Sequence, residues 1–410
     1  MVRSMPTFEN TIEALERSGE LLDRVAHTFY TVTSADATPE IQKIDEQLAP
    51  LMAAHQDAIT LDGALYWRVQ QVHARLDDLE LDDEQRYLVE RHHREMTHAG
   101  AALDDDAKSR LTALNQQLST LSNTFERNLL NDTNDLAVVF DSSDELDGLS
   151  SGELSAAARA ASDRGLDGRF VITLPLFTGH PYLAQLRDRE SRRRIMAASR
   201  SRASRPNTND NRPVLTEIVR LRAERAALLG YDSHAAYVTA DETAGSPAAV
   251  ERMLRELAAP SARNARAERE TLQSIVDETE AAPFTVAAHD WAFYTEKVRT
   301  ARYAIDTSAL RPWFEAERVL QDGVFFAATQ LYGVTFAERH DLRAYHPGAR
   351  VFEVSDADGS AVGLYVLDLY TRDSKRGGAW MNPIVSQSRL RGTLPVAVSY
   401  THLTLPTILL

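Results

Sequence analysis

Apolar residues recur at every third or fourth position through most of this chain, and this spacing restricts its fold more than any other feature. Between Thr11 and Asn131 the pattern includes Ile12, Leu15, Leu22, Val25 and Phe29, and later Leu111, Leu114, Leu118, Leu121 and Phe125. Side chains at this spacing share one face of an α-helix. Short turn-forming segments interrupt the pattern, so it predicts an antiparallel stack of amphipathic helices.

The helical pattern resumes beyond this region and then gives way to β-type sequence. Two brief β-type runs, at 136–140 and 170–174, flank a predicted helix at 151–164. Further helices are predicted at 182–202, 212–229, 248–280, 289–304 and 313–332. After Pro347, two β-type runs at 350–355 and 361–369 are joined by a short turn, which predicts a β-hairpin. The predicted fold class is therefore mainly α, with a small β-hairpin or sheet near the C-terminal end.

Charge and composition exclude several classes of partner. The chain has 60 acidic and 45 basic residues and a net charge of -15, which disfavours nucleic acid and anionic membranes. No apolar run approaches the roughly 20 residues that span a bilayer, and the N-terminus lacks an apolar signal core. A cytoplasmic protein without membrane or nucleic-acid partners is predicted. Because there is no cysteine, any metal would depend on His, Asp and Glu.

A search for a metal site finds no complete motif. None of the twelve histidines is followed by glutamate, so the zinc motif His-Glu-x-x-His is absent. The densest histidine group places His92, Glu95 and His98 on one broad helix face. No fourth ligand is evident, and a solvated helix face with ordinary surface charge is the favoured interpretation. No metal-binding residue is predicted.

Two further segments have an alternative interpretation that involves binding. Eight arginines between Arg187 and Arg205 could form a nucleic-acid patch, but within an acidic chain they favour intramolecular pairing. Asp356-Ala-Asp-Gly359 resembles the start of a calcium loop, yet Leu367 stands where a bidentate glutamate is required. A hairpin turn is favoured there. Since serine-hydrolase and phosphate-loop motifs are also absent, no catalytic residue is predicted from the residues alone.

One segment resembles a known family. The string is Asp368-Leu-Tyr-Thr-Arg-Asp-Ser-Lys-Arg-Gly-Gly-Ala-Trp-Met-Asn382. It is similar to the Asp-x-Tyr-x-Arg-x-x-Lys-x-Gly-Gly-Ala-Trp stretch of the thimet-oligopeptidase or neurolysin-like zinc metallopeptidases. Other segments follow in the order seen in the peptidyl-dipeptidase branch, namely Asp290-Trp-Ala-Phe-Tyr294, Leu310-Arg-Pro-Trp-Phe314, Val319-Leu-Gln-Asp-Gly-Val-Phe325 and Tyr345-His-Pro347. The resemblance extends from residue 5 to about 397.

The resemblance implies a mostly helical body with a deep channel and a zinc held by His-Glu-x-x-His and a further glutamate. In that family the motif glutamate deprotonates a zinc-bound water, and Tyr and His residues stabilise the oxyanion. None of these residues has a matching position here. The parent is thus expected to be a monomeric, zinc-dependent enzyme that cuts short peptides and releases C-terminal dipeptides. These 410 residues are expected to be inactive and to bind no zinc. The alternative is a non-catalytic helical peptide-binding protein.

The resemblance also suggests where a peptide would bind. In related enzymes a strand near the Gly-Gly-Ala-Trp segment lines the cleft, and extended peptides often add a strand to a sheet edge. Gly378, Ala379 and Trp380 are therefore the predicted substrate-contacting residues. The alternative is that the glycines permit close packing and Trp380 belongs to the core.

Four regions are predicted along the chain. They are an N-terminal helical region at 1–135, a helical body with a short β arm at 136–345, a β-hairpin and strand at 346–398, and a tail at 399–410. The tail departs from the family pattern and looks like translated sequencing-adapter sequence. It is expected to be disordered or loosely packed, and His402 is not expected to be a ligand.

Overall fold

The structure, a computed structural model, describes residues 4–174, 180–304 and 310–403. Most of these residues are helical, which confirms the mainly α fold. The helices are α1 (Ala14–Arg17), α2 (Glu20–Ala35), α3 (Pro39–Thr60), α4 (Gly63–His73), α5 (Asp83–Ala99), α6 (Asp105–Asp135), α7 (Ser151–Ser162), α8 (Arg189–Arg200), α9 (Arg212–Leu228), α10 (His234–Thr239), α11 (Pro247–Thr279), α12 (Trp291–Tyr303), α13 (Ala316–Arg318) and α14 (Phe326–Tyr332). Segments of π-helix, Phe8–Glu13 and Val319–Phe325, precede α1 and α14.

Aspartate side chains cap the first turns of several helices. Asp62 accepts a hydrogen bond from the backbone N–H of Leu65 at 2.6 Å and so caps α4. Asp82 and Gln85 form a reciprocal capping box at the start of α5. Asp188 accepts from the N–H of Ser191 at 2.6 Å, so α8 begins at residue 189 rather than at the predicted residue 182.

The first of two compact units comprises residues 1–26, 38–127 and 210–255. One of its apolar clusters joins the N-terminal π-helix to α4 and α5 through Phe8, Ile12, Val69, Val72, Leu76, Val89, Met96 and Ala101. A second joins α6 to α9 through Leu114, Leu118, Ile218 and Leu221. Both clusters contain residues of the predicted apolar faces, since burial of one face stabilises an amphipathic helix.

The second unit comprises residues 27–37, 128–209 and 256–410. Within it, β1 (Val138–Phe140) pairs antiparallel with β2 (Phe170–Ile172). These strands cover a core that includes Leu146, Ala157, Leu186 and Ile195. The two predicted β-type runs and the helix between them are thereby confirmed.

The second unit also contains a five-stranded sheet. Its strands are β3 (Thr335–Glu338), β4 (Arg350–Ser355), β5 (Ala361–Tyr370), β6 (Trp380–Val385) and β7 (Val396–Leu403). Their order across the sheet is β3-β4-β5-β7-β6, and only the β5–β7 pair is parallel. The β4–β5 pair is the predicted hairpin. Asp358 accepts from the N–H of Ser360 at 2.9 Å, and Gly359 has a φ of 84°, as the predicted turn requires.

Residues 399–403 differ from the sequence expectation. They form the end of β7, where residues 399 and 400 pair with both β5 and β6 and the pairing with β5 continues to Leu403, so this part of the tail is ordered strand. The reason is a two-residue alternation that puts Val396, Val398 and Tyr400 on one face, where Val398 and Tyr400 are buried. Residues 404–410 lie outside the described residues, and nothing is described of the side chain of His402.

The arginine-rich segment is engaged in intramolecular pairs, as predicted. Asp290 is fully buried and accepts hydrogen bonds from Arg189 and Arg192, of which Arg192 is also buried. The other ion pairs in the segment are Arg187–Asp147, Arg193–Glu190, Arg194–Glu145 and Arg205–Asp132. These contacts engage six of the eight arginines within the chain. Among the described helices, none carries an apolar stretch long enough to cross a membrane.

His180 provides a test of how pH affects this fold. Its ring is buried, and Nδ1 accepts a hydrogen bond from the backbone N–H of Tyr182 at 3.1 Å. Burial lowers the pKa of His180 from 6.5 to about 4 because the charged ring would lose its water. The unfolded chain therefore binds a proton at a higher pH than the folded protein does.

The stabilising effect of His180 is present above pH 6.5 and should be lost as the pH falls towards 4. We expect this residue to account for a decrease of up to about 3 kcal/mol in the free energy of unfolding across that range. Urea unfolding at several pH values should give a shallower pH dependence for His180→Gln than for the unmodified chain. His340→Gln, at a side chain that is 83% exposed, is the matched control. Parallel pH profiles for all three proteins would contradict the expectation.

Candidate functional site

A buried ionic network lies where β5 leads into the loop before β6. Asp368, at 0% exposure, accepts hydrogen bonds from Arg372 at 3.0 and 2.7 Å and from Lys375 at 2.9 Å. The hydroxyl of Tyr345 also donates to Asp368. Lys375 further donates to the backbone carbonyls of residues 368, 370 and 401. One carboxylate thus holds two cations and a tyrosine.

The hydrogen bonds decide the protonation of this network. Burial by itself would raise the pKa of Asp368, but donation from Arg372, Tyr345 and Lys375 holds that pKa below its usual range. Burial lowers the pKa of Lys375, and the neighbouring carboxylate opposes this effect. The pKa of Tyr345 is raised, first by burial and then by its bond to Asp368. A buried carboxylate without these partners would be costly.

The same network fixes the loop against the end of α2. Arg372 donates to the backbone carbonyl of Ala35, and the N–H of Arg376 donates to the carbonyl of Ser34 at 3.0 Å. Ser374 adds a hydrogen bond from its hydroxyl to the carboxylate of Asp36 at 2.7 Å. These hydrogen bonds hold residues 372–376 against the end of α2, and they thereby position residues 377–380, which follow in the chain.

A pocket of about 510 Å³ opens beside this loop, within the second unit. Ala379 is exposed on its wall, and Gly378 adopts a φ of 101° that favours glycine. Trp380 is half-buried, and its ring stacks on Tyr400 with centroids 4.3 Å apart. The other lining residues are His27, Tyr30, Ser34, Arg376, Gly377, Asn382 and Pro383.

Strand β6 forms one edge of the five-stranded sheet. In the described part of the chain it pairs only with β7, and Asn382 is tied to Thr31 of α2 by a hydrogen bond of 2.9 Å. An edge strand carries backbone donors and acceptors that an extended peptide can pair with. The pocket and the edge strand thus place unpaired backbone groups beside a cavity. Contact of a substrate with Gly378, Ala379 and Trp380 stays a prediction.

The histidine group near residue 92 has other partners. His92 Nε2 lies 2.9 Å from a carboxylate oxygen of Glu16, and Glu95 pairs with Arg91. His98 contacts the hydroxyl of Tyr231 at 3.1 Å and stacks on another tyrosine ring. His92 and His98 thus join α5 to other segments, whereas Glu95 pairs within α5, and the three side chains have separate partners.

The zinc implied by the family resemblance does not fit the residues that the structure describes. Among residues 4–174, 180–304 and 310–403, no three His, Asp or Glu side chains lie together in a way that could hold a metal ion. The full sequence also lacks His-Glu-x-x-His. We therefore assign no zinc ligand and no reaction step to these residues.

Sequence reasoning missed most of the groups around the pocket. It identified the string from Asp368 to Trp380 as a family mark, but not that Asp368, Arg372 and Lys375 form one buried network. The available signal was the closeness of these three opposite charges along the chain, within eight positions. His27, Tyr30 and Ser34 had no signal, because they lie about 350 positions before the pocket loop in the sequence.

Loss of the central carboxylate should loosen the loop. Asp368→Asn leaves Lys375 and Arg372 without their buried counter-charge, and we expect the free energy of unfolding to fall by about 3 kcal/mol. Trypsin should also cut faster at Arg372, Lys375 and Arg376 in native buffer. Urea unfolding and mass spectrometry of the digest measure the two effects. Asp358→Asn, in the exposed hairpin turn, is the control. Unchanged stability and cleavage would show that the network does not hold the loop.

Known proteins with similar sequences agree with the motif resemblance. The family model described as Peptidase family M3 matches residues 182–409, which is more than half of the chain. This match continues past Val398, near which the motif resemblance ends.

Curated relatives are similar along nearly the whole chain. Dipeptidyl carboxypeptidase of Salmonella typhimurium is 41% identical over 391 residues, which is 95% of this chain and 57% of that protein. Dipeptidyl carboxypeptidase of Escherichia coli is 40% identical over 392 residues, with 96% and 57% covered. Oligopeptidase A of Salmonella typhimurium is 29% identical over 399 residues, with 96% and 58% covered. The chain thus spans less than two thirds of the length of these relatives. It belongs to peptidase family M3, and its resemblance to the peptidyl-dipeptidase branch is confirmed.

Proposed function

We propose that this chain supplies a peptide-binding wall of a zinc-dependent peptidase that hydrolyses short peptides and releases C-terminal dipeptides. Membership of peptidase family M3 supports the hydrolysis of peptide bonds. The names and the 41% and 40% identities of the two dipeptidyl carboxypeptidases support dipeptide release over the internal cleavage of an oligopeptidase. A cytoplasmic location and a monomeric parent stay predictions.

The observation that carries the proposal is the pocket beside an edge strand. Within the described residues, β6 offers an unpaired backbone edge, and Ala379 and Trp380 border the pocket where β6 begins. A peptide paired with the edge would place alternate side chains towards the pocket, since side chains of an extended chain alternate in direction. The buried Asp368 network holds this binding surface in one conformation before the peptide arrives, which reduces the entropic cost of binding.

Catalysis by these 410 residues alone is not part of the proposal. The zinc ligands and the general base that the family uses have no counterpart in the sequence. A peptide bound at β6 would therefore remain intact. A non-catalytic peptide-binding protein is the alternative, and it shares the same binding surface.

An activity assay tests whether these 410 residues can hydrolyse a peptide. We expect the 410-residue chain with added zinc to leave a blocked tetrapeptide uncleaved, because the sequence lacks the His-Glu-x-x-His motif that would hold zinc and activate a water molecule. Liquid chromatography of the reaction would measure dipeptide release, and dipeptidyl carboxypeptidase of Escherichia coli serves as the positive control. Zinc-dependent release of dipeptide by the chain would show that it is a complete enzyme.

A binding assay tests the surface itself. Trp380→Ala removes an aromatic wall of the pocket, and we expect the dissociation constant of a blocked tetrapeptide to rise at least about fivefold in calorimetry. Trp313→Ala is the matched control, because Trp313 is 67% exposed and does not line this pocket. Trp380→Phe should restore much of the affinity if contact with an aromatic ring is the cause. Equal affinity in all four proteins would remove Trp380 from the binding site.

A further inference from the structure

A second pocket lies wholly within the first unit, among its helices. Its volume is about 330 Å³, which is within the range of small-molecule sites. Helices α3, α5, α6, α9 and α10 contribute to its walls. The lining residues are Asp57, Ala99, Leu111, Asn115, Leu118, Ser119, Ser122, Arg222, Arg225, Leu229 and Tyr237.

Arg225 is the unusual group in this pocket. It is half-buried, and burial lowers its pKa. Its guanidinium donates one hydrogen bond of 3.3 Å to Asn115 Oδ1 and lies 5.3 Å from the centre of the Tyr237 ring. Within the described part of the chain, its buried Nε has no hydrogen-bond partner. A partly desolvated cation with one long hydrogen bond and an unused donor is energetically unfavourable.

The carboxylate that lines this pocket does not pair with Arg225 directly. Asp57 is 8% exposed, and both of its oxygens accept from Asn115 Nδ2, at 2.9 and 3.1 Å. Asn115 therefore stands between the two charges, with its oxygen towards Arg225 and its amide group towards Asp57. Burial raises the pKa of Asp57, so its negative charge is itself disfavoured.

A second arginine adds positive charge to the same wall. Arg222 precedes Arg225 by three positions on α9, so both side chains lie on one face of the helix. Arg222 is exposed, and no ion pair joins it to any described residue. Leu111, Leu118 and Leu229 give the pocket an apolar side as well. The chain as a whole carries a net charge of -15, whereas this pocket is lined by two arginines and only one carboxylate, which Asn115 shields.

We propose that this pocket binds a small organic carboxylate, with its carboxyl group on Arg222 and Arg225 and its short apolar body against the three leucines. Arginine donors match a carboxylate in geometry and charge, and the bound anion would supply the acceptor that Arg225 Nε lacks. The leucine wall favours a branched aliphatic body over an inorganic anion. The site is separate from β6 and does not depend on the proposed peptidase function.

Calorimetry with 4-methylpentanoate as the probe tests this site. We expect a dissociation constant on the order of 1 mM, which suits a ligand with so few atoms. The neutral analogue 4-methylpentanamide has the same shape without the charge and should bind at least about tenfold more weakly. N-acetyl-L-leucine, which represents the carboxyl end of a peptide, tells whether the natural source is a peptide or a simple acid. Either source is consistent with the site.

Substitutions on α9 locate the binding. Arg222→Ala should weaken binding of 4-methylpentanoate about tenfold without changing the thermal midpoint, since Arg222 is exposed. Arg220→Ala is the matched control on the same helix, because Arg220 pairs with Glu217 and Glu224 and does not line the pocket. Arg225→Gln should abolish binding, and its circular dichroism spectrum would verify folding.

Three results would overturn the proposal. The first is no heat of binding with either carboxylate up to about 20 mM, a concentration well above the expected dissociation constant. The second is equal binding to the unmodified chain and to Arg222→Ala. The third is inorganic phosphate binding as tightly as 4-methylpentanoate, because the apolar wall would then contribute nothing. Peptide binding at Trp380 can succeed or fail independently, since no residue is shared between the two pockets.

Discussion

The buried carboxylate of Asp368 is the interaction on which the candidate site depends. Lys375 and Arg372 are held within a protein interior that would otherwise exclude their charges, and Asp368 is held there by them. Each member would be unstable in that position alone. These contacts also reach the backbone at the end of α2, so they tie the loop before β6, which borders the pocket, to that helix.

This arrangement recurs in the second unit. Asp132 and Asp290 also have side chains at 0% exposure, and each is paired with arginine. Asp132 additionally accepts from the N–H of Ala203 at 2.6 Å and from Asn207 at 2.8 Å. These carboxylates connect segments that lie about 70 to 100 positions apart in the sequence. Apolar faces bring the helices together, and the buried ion pairs select among the ways in which those faces could pack, since any other packing would leave a charge unpaired.

Sequence reasoning predicted local structure well for a physical reason. The helix spacing of Leu114 and Leu118 depends only on neighbours one turn away, and so does the cap that Asp82 provides for α5. The prediction for the tail was wrong because its structure depends on partner strands from other parts of the sequence. Residues 399 and 400 extend as a strand between β5 and β6, and the pairing with β5 continues to Leu403. No pattern within the tail alone reveals those neighbours.

The sequence by itself determined the mainly α class, the hairpin at residues 350–369, the pairing of the arginine-rich segment within the chain, and the family, through the string that ends at Trp380. Only the tertiary structure showed that Arg372 and Lys375 of this string surround the buried carboxylate of Asp368. It also placed residues of α2 in the wall of the pocket beside Trp380. Likewise, it brought Arg222 and Arg225 together with Asn115 and Asp57 around a second pocket. Local pattern reflects short-range sterics and hydrophobic burial, whereas the charge state and partners of a buried group depend on segments that only folding brings into contact.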